Sequence, residues 1–171
     1  MLYLTKPLGI GILSTAQKRA KLKPEDENIA PDLMCKLNTF GVIASQQEYI
    51  HAMTDVTGFA LLGHLLEVCQ GSGLGAQLQT GLIPIIPQAL GYLEQGCIPG
   101  GTMRNWESYG EHYPGLSNDL RNILCDPQTS GGLLITVDAG HQRRFEALAT
   151  DNGLDLTSFG QLTESTTFSF V

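Results

Sequence analysis

The stretch TDVTGFALLGHLLEVC, residues 54–69, predicts the end of a strand followed by a helix, with the acid Asp55 between them. The segment 51–56 at its start has the composition of a short strand. From Gly58 to Gln70 the apolar residues recur at helical spacing, and GSGLG then supplies glycines suited to a helix C-terminus. Asp55 therefore lies where a predicted strand ends and a predicted helix is about to begin.

A carboxylate at this junction has two possible roles. It can accept hydrogen bonds from the first amides of the helix, which is the commoner role of Asp there. It can instead bind Mg²⁺, which prefers carboxylate, water and phosphate oxygens, beside a helix N-terminus that favours phosphate. Gly58 would allow close approach of the backbone. One acid is not a metal site, so the spacing alone leaves both roles open.

Outward from this stretch, strands and helices mix without a repeat, which predicts an α+β fold with one mixed β-sheet flanked by helices in α/β/α layers. Predicted strands cover 2–14, 51–56, 75–85, 133–138, 154–162 and 166–171, and predicted helices cover 31–48, 58–70, 87–96, 116–125 and 139–153. The last third reads as βαββ, half of a ferredoxin-like fold. Residues 97–115 are rich in Gly, Pro, Asn and aromatic residues and are predicted to form a long, irregular loop of the kind that is often functional.

Three further motifs have a structural and a functional interpretation. DPQTSGG, residues 126–132, is favoured as a tight turn, although the Thr129 and Ser130 hydroxyls could be presented to an anion. GSGLG follows a helix and does not open one, so it is interpreted as a helix C-cap and not as a nucleotide loop. His64 lies among apolar helix positions and is predicted to be a core or interface residue without a catalytic role.

Bulk properties exclude several classes of protein. The chain has 171 residues, a formal charge of −7 and a pI near 4.9, which argues against binding nucleic acid or an anionic membrane. An acidic protein can still bind a nucleotide if divalent cations lie between them. No apolar run approaches about 18 residues and no charged region precedes an apolar leader, which predicts a cytoplasmic protein outside the membrane. The four cysteines lack metal-site spacing and are predicted to be buried free thiols.

Four blocks in order carry a resemblance over nearly the whole chain: LTKPLGIGILSTA, MTDVTGFALLGHLLEVCQG, IPGGTMRNWESYG and LCDPQTSGGLLITV. Together they resemble the C-terminal part of selenophosphate synthetase (selenide, water dikinase), in the aminoimidazole ribonucleotide synthetase superfamily of ATP-dependent enzymes. The resemblance implies a reaction of selenide, ATP and water that yields selenophosphate, AMP and phosphate. One departure is Ala60, where the family more often has Gly, and the added methyl group is predicted to be a mild change.

The resemblance also implies roles for individual residues and partners. Asp55 matches an aspartate of the set that binds Mg²⁺ around the ATP phosphates, and Thr54, Thr57 and Gly58 are then expected near those phosphates. Residues 1–171 would form the C-terminal domain of a homodimeric enzyme. A separate N-terminal domain would carry the reactive Cys or selenocysteine, a nearby lysine and the other metal-binding aspartates. The chain alone is therefore predicted to contain no catalytic residue and to be inactive.

Two other hypotheses remain at this stage. The chain can belong to another superfamily member with a different substrate, such as a thiamine-monophosphate kinase-like or hydrogenase-maturation protein. It can also be a non-catalytic domain that binds nucleotide or mediates assembly. The length of the matching blocks, above all CDPQTSGGLL and DVTGFALLGHL, favours the selenophosphate synthetase family.

Overall fold

Six strands form one mixed sheet in the computed structural model of the protein, which describes all residues, 1–171. The strands are β1 (Leu2–Leu4), β2 (Ile50–Asp55), β3 (Gly75–Leu78), β4 (Leu133–Val137), β5 (Gly160–Thr163) and β6 (Phe168–Phe170), in the order β2-β4-β1-β5-β3-β6. Neighbouring strands run antiparallel except β3 and β6, which run parallel. β2 is therefore an edge strand that pairs on one side only, with β4.

Eight α-helices surround this sheet. They are α1 (Ile10–Lys18), α2 (Ile29–Cys35), α3 (Phe40–Ala44), α4 (Ala60–Ser72), α5 (Pro87–Glu94), α6 (Gly100–Tyr109), α7 (Asn118–Leu124) and α8 (Gln142–Asp151). None of them has both the length and the apolar surface that crossing a membrane requires. The predicted strands and helices on either side of Asp55 are confirmed as β2 and α4, and Gly73 ends α4 in the left-handed conformation expected of a helix C-cap.

The central strand β1 shows why the fold has helices on both faces of the sheet. Successive side chains of a strand point to opposite faces. Leu2 and Leu4 accordingly pack with α4, α6 and α7, whereas Tyr3 packs with α3 and α8. All three residues are buried, so both faces of the sheet need a cover. The predicted α/β/α layering is confirmed.

A third apolar cluster forms between helices alone. Ile12, Leu13 and Ala16 of α1 pack with Ala89 and Tyr92 of α5, and α2 joins this cluster. It supports the loop that leaves β1 and the start of α1, both of which adjoin the site described below.

The predicted βαββ tail is confirmed and gives the fold its ferredoxin-like part. β4 and β5 both run antiparallel to β1 and lie on either side of it, and α8 connects them. The connection is thus a split βαβ unit, in which β1 occupies the place between two parallel strands. β6 then joins β3 at the far edge.

Two sequence-based predictions of elements in the first 50 residues are wrong. Residues 10–14, predicted as part of a strand that begins at Leu2, are the first half of α1, because Gly9 turns the chain at φ 126°. The helix predicted over 31–48 is two short helices, α2 and α3. The break between them is held from outside, since Lys6 Nζ donates to the Lys36 carbonyl (2.7 Å) and Asn38 Nδ2 donates to the Gly131 carbonyl (2.9 Å).

The cysteine prediction needs one correction. Cys69, Cys97 and Cys125 are buried free thiols, as expected, but Cys35 is exposed at the end of α2. Its helix is only seven residues long and has a single buried residue, Ala30. The apolar sequence around Cys35 therefore did not place it in the core.

Candidate functional site

Asp55 is the last residue of β2 and its side chain is exposed. It pairs with Leu133 in the β2–β4 ladder, and the next residue, Val56, donates its main-chain N–H to the Gly132 carbonyl (2.8 Å). No hydrogen bond or ion pair within the chain reaches the Asp55 carboxylate. Its oxygens are therefore free to bind a group from outside the chain.

The structure excludes the helix-capping role for Asp55. The N-cap residue of α4 is Phe59, and no side chain caps this helix. The four intervening residues carry the chain from the sheet to the helix, so Asp55 does not reach the first-turn amides. The main-chain N–H groups of Gly58 and Phe59 make no hydrogen bond within the chain. An uncapped helix N-terminus with open amides lies close in sequence to a free carboxylate.

His64 is a core residue, as predicted, and it also holds the segment around Thr57 by hydrogen bonds. It is buried in α4, and its Nε2 accepts the main-chain N–H of Thr57 at 3.1 Å while Nδ1 lies 3.1 Å from Glu67 Oε2. The Thr57 hydroxyl lies 3.3 Å from the same Nε2. His64 thus holds the segment between β2 and α4 in place. Thr57 is half-buried, and its own main-chain donor is taken.

Helix α6 replaces the long irregular loop predicted over 97–115. It holds the segment before α4 in place by two hydrogen bonds. Asn105 Nδ2 donates to the Gly58 carbonyl (2.9 Å), and the Tyr109 hydroxyl donates to the Phe59 carbonyl (2.7 Å). Pro99 immediately precedes this helix, and Thr102, Asn105 and Tyr109 form its buried face. That helical spacing was the signal by which α6 could have been found. Phe59 itself is 58% exposed.

Ala60 and Gly58 differ from their sequence-based interpretation. Ala60 is fully buried at φ +60°, in the left-handed region that favours glycine. The methyl group is therefore not a mild change but a source of backbone strain at the start of α4. At Gly58 an added Cβ would meet no atom of the chain within 4 Å. Internal packing does not require this glycine, and the space around it is open.

The 126–132 segment, favoured from the sequence as a tight turn, is an irregular connection with a bend at 129–130, and it caps a distant helix. The main-chain N–H of Gly11 donates to Asp126 Oδ2 (3.0 Å), and that of Ile10 donates to Gln128 Oε1 (3.3 Å). The side-chain amide of Gln128 also donates to Asp126 Oδ2 at 2.8 Å. The N-terminus of α1 is thus satisfied by side chains far along the chain, a role that the sequence did not predict.

The glycines of this segment are required by close packing against other parts of the chain. A side chain at Gly131 would collide with the Val56 carbonyl, and one at Gly132 with the main chain of Lys6. Asp126 is fully buried, and this burial raises the pKa of its carboxyl to about 7 although Gln128 and Gly11 donate to it. The Thr129 and Ser130 side chains are exposed beside the 55–60 segment and make no hydrogen bond within the chain.

The residues implied by the family resemblance lie close together in sequence on the surface at the end of β2, where Thr54 and Asp55 point to opposite faces of the sheet. Asp55 and Gly58 are exposed there, while Thr54 and Thr57 are half-buried. The surface offers one carboxylate and two open amides, and no group of three or more His, Cys, Asp or Glu residues of this chain is arranged to hold a metal ion. By itself it therefore supplies only part of the ligand set that a metal ion or a phosphate needs.

Comparison with known proteins identifies a family that covers the whole chain. The family described as AIR synthase related protein, C-terminal domain, matches residues 1–171. A curated protein named selenide, water dikinase, from Aeromonas hydrophila, is 52% identical over 99% of the chain. The chain spans 49% of that relative, so it corresponds to about half the length of the protein it matches.

Solved structures with low sequence identity share the fold. E. coli HypE matches with a TM-score of 0.70 at 17% identity, covering 99% of this chain and 45% of the other. Thiamine-monophosphate kinase from Stenotrophomonas maltophilia K279a matches with a TM-score of 0.68 at 16% identity, covering 99% and 49%. These likenesses confirm the α+β architecture and do not favour the kinase or hydrogenase-maturation alternative over the selenide, water dikinase assignment.

Proposed function

The chain belongs to the family of AIR synthase related proteins, C-terminal domain, and from this premise we propose that residues 1–171 are the C-terminal domain of a selenide, water dikinase. The proposed whole enzyme converts selenide, ATP and water into selenophosphate, AMP and phosphate. The observation that carries the proposal is the 52% identity to the Aeromonas hydrophila protein over 99% of the chain.

In this proposal Asp55 is a Mg²⁺ ligand beside the phosphates of ATP. Mg²⁺ keeps several waters and binds through one or two carboxylates together with phosphate oxygens. A single exposed carboxylate without a hydrogen-bond donor from its own chain fits such a shared site. When bound, the ion would neutralise the charge of the phosphates as they are cleaved.

The neighbouring residues contribute unequally. The open amides of Gly58 and Phe59, at the N-terminus of a 13-residue helix, suit a phosphate oxygen. Thr57 contributes at most its hydroxyl, since its main-chain N–H is bonded to His64. Thr54 precedes Asp55 in β2, and its strand pairing helps to position Asp55. These amide, hydroxyl and carboxylate groups support the proposed binding of ATP. The remaining metal ligands and the nucleophile are assigned to residues outside this chain.

The proposal assigns those residues to an N-terminal domain of the same enzyme. The whole enzyme is proposed to be a cytoplasmic homodimer. The position of Asp55 favours such a partner, because β2 is an edge strand whose outer side is unpaired. A carboxylate at the end of an edge strand can be approached by another domain without any change in the sheet. The isolated chain is expected to fold and to form no AMP.

The test uses the full-length enzyme and two matched substitutions. Asp55→Asn removes one charge and keeps the shape of the side chain, and selenide-dependent AMP formation is expected to fall at least about 100-fold because several kcal/mol of metal-mediated stabilisation are lost. Asp155→Asn, at another exposed aspartate, serves as the control and should keep full activity. Unchanged turnover in Asp55→Asn with Mg²⁺ present would refute the assigned role.

A further inference from the structure

A cavity of about 350 Å³ lies at the end of the sheet where β1 ends and β4 begins, on the side of α3 and α8. Its lining includes the polar residues Lys6, Lys36 and Asn38 and the apolar residues Leu33, Ile43 and Leu154. About half of this lining is apolar. Two lysines and no carboxylate line it, although the whole chain carries a net charge of −7. The cavity is therefore a locally basic site in an acidic protein.

Lys6 is a buried cation without a counter-charge. Its side chain is 6% exposed, and Nζ donates to the carbonyls of Lys36 (2.7 Å) and Ser130 (2.6 Å), which are neutral acceptors. Every ion pair in the molecule involves a histidine, so no carboxylate neutralises Lys6. An ammonium group has three donors, which leaves one N–H of Lys6 unused.

The electrostatic cost of this arrangement points to an anion. An unpaired buried charge is unfavourable, and burial together with the nearby Lys36 charge lowers the pKa of Lys6. An anion in the cavity would neutralise Lys6 and engage its free donor. Lys36 is exposed at the rim and can approach the same anion.

Asn38 supplies a second, independent observation. Its Nδ2 donates to the Gly131 carbonyl at 2.9 Å, whereas its Oδ1 is buried and has no hydrogen-bond partner. A buried acceptor without a donor costs free energy, so native proteins seldom keep one. Asn38 thus leaves an unpaired polar atom in the wall of the cavity, but this atom has no accessible surface, so a ligand reaches it only if the side chain moves.

We propose that the cavity binds a small organic carboxylate that has an apolar body. Lys6 and Lys36 hold the carboxylate, and Leu33, Ile43 and Leu154 surround the apolar body. N-acylated apolar amino acids have this combination of groups. Asp55 does not line the cavity, but its ladder partner Leu133 does, so the cavity adjoins the proposed metal site and is a separate binding site from it.

The experiment compares N-acetyl-L-leucine with its neutral amide, N-acetyl-L-leucinamide, in titrations of the isotope-labelled chain followed by NMR. The acid is expected to shift the amide signals of Lys6, Asn38 and Leu154 saturably and to raise the pKa of Lys6, followed by its side-chain carbon signal. The amide should bind at least about tenfold more weakly, since it lacks the charge-assisted hydrogen bond. Equal binding of the two, or no saturable shift with the acid, would overturn the proposal.

Variants locate the binding site. Lys6→Met should abolish the preference for the acid, and Lys36→Met, at an exposed position where folding is not at risk, should weaken acid binding several-fold and leave amide binding unchanged. Lys18→Met, at an exposed lysine of α1 away from the cavity, is the control and should bind like the unmodified chain. If Lys6→Met fails to fold, the Lys36→Met result decides. Undiminished acid binding in Lys36→Met and a constant Lys6 pKa would contradict the assignment.

Discussion

Asp55 and Asp126 make the most informative comparison in this molecule. Each ends an apolar segment and opens a glycine-containing loop, and the two loops touch through the Val56 to Gly132 hydrogen bond. Asp55 is exposed and accepts nothing from its own chain, whereas Asp126 is fully buried against Gly11 and Gln128. Asp126 thus stabilises the fold whereas Asp55 is available for binding, because β2 ends at an open edge and the 126–132 segment begins against the N-terminus of α1.

The largest effect expected from this difference is on stability. Asp126→Ala removes the acceptor of the Gly11 amide and the Gln128 side chain in the core, and we expect the free energy of unfolding to fall by about 2–4 kcal/mol. Asp55→Ala removes no internal hydrogen bond and should change it by less than about 0.5 kcal/mol. Urea denaturation of both variants measures the contrast. Similar values for the two would break the comparison.

The second effect is a dependence on pH that only Asp126 contributes. Its pKa is about 7 in the folded chain against 3.8 for an ordinary aspartate, so the folded state holds a proton that the unfolded state releases. The resulting stability is fully present below about pH 3.8 and is lost as the pH rises through about 7. Stability relative to Asp126→Asn, which does not titrate, should therefore fall by about 1 kcal/mol per pH unit between those values.

Urea denaturation of the two proteins at several pH values gives this difference directly, and titration of all other groups cancels between them. Asp55→Asn is the matched control, and its stability relative to the unmodified chain should change far less with pH than that of Asp126→Asn. A difference that stays constant from pH 4 to pH 7 would mean that Asp126 is ionised throughout, and the contrast with Asp55 would then rest on hydrogen bonding alone.

The smallest predicted effect is on stability and concerns Ala60, at the start of the helix that follows Asp55. Ala60→Gly relieves a left-handed conformation that costs about 1–2 kcal/mol for a residue with a Cβ, and it loses about 0.8 kcal/mol of methyl burial. We expect a net stabilisation of about 0.5 kcal/mol, measured by thermal or urea denaturation. Ala149→Gly, at an equally buried position inside α8, is the control and should destabilise by about 1 kcal/mol or more. Destabilisation by both would show that Ala60 is not strained.

Much of the fold follows from local sequence patterns. The strand before Asp55, α4 and its glycine C-cap, and the βαββ tail were predictable, since apolar periodicity and turn residues act within a few positions. Helix α6 was missed because Gly100, Gly101 and Asn105 are weak helix formers, and tertiary contacts override that preference. The single helix predicted over 31–48 failed for the same reason, since Lys6 and Asn38 hold its break from other parts of the chain.

The sequence by itself determined that Asp55 stands between a strand and a helix and that the chain resembles one family of ATP-dependent enzymes. Only the tertiary structure decided what each acid does. The Gly11 amide that Asp126 accepts lies 115 residues away in sequence, so no local pattern could assign it. Hydrogen-bond partners and burial are set by which distant segments meet, and these two quantities made Asp126 structural and left Asp55 free to bind.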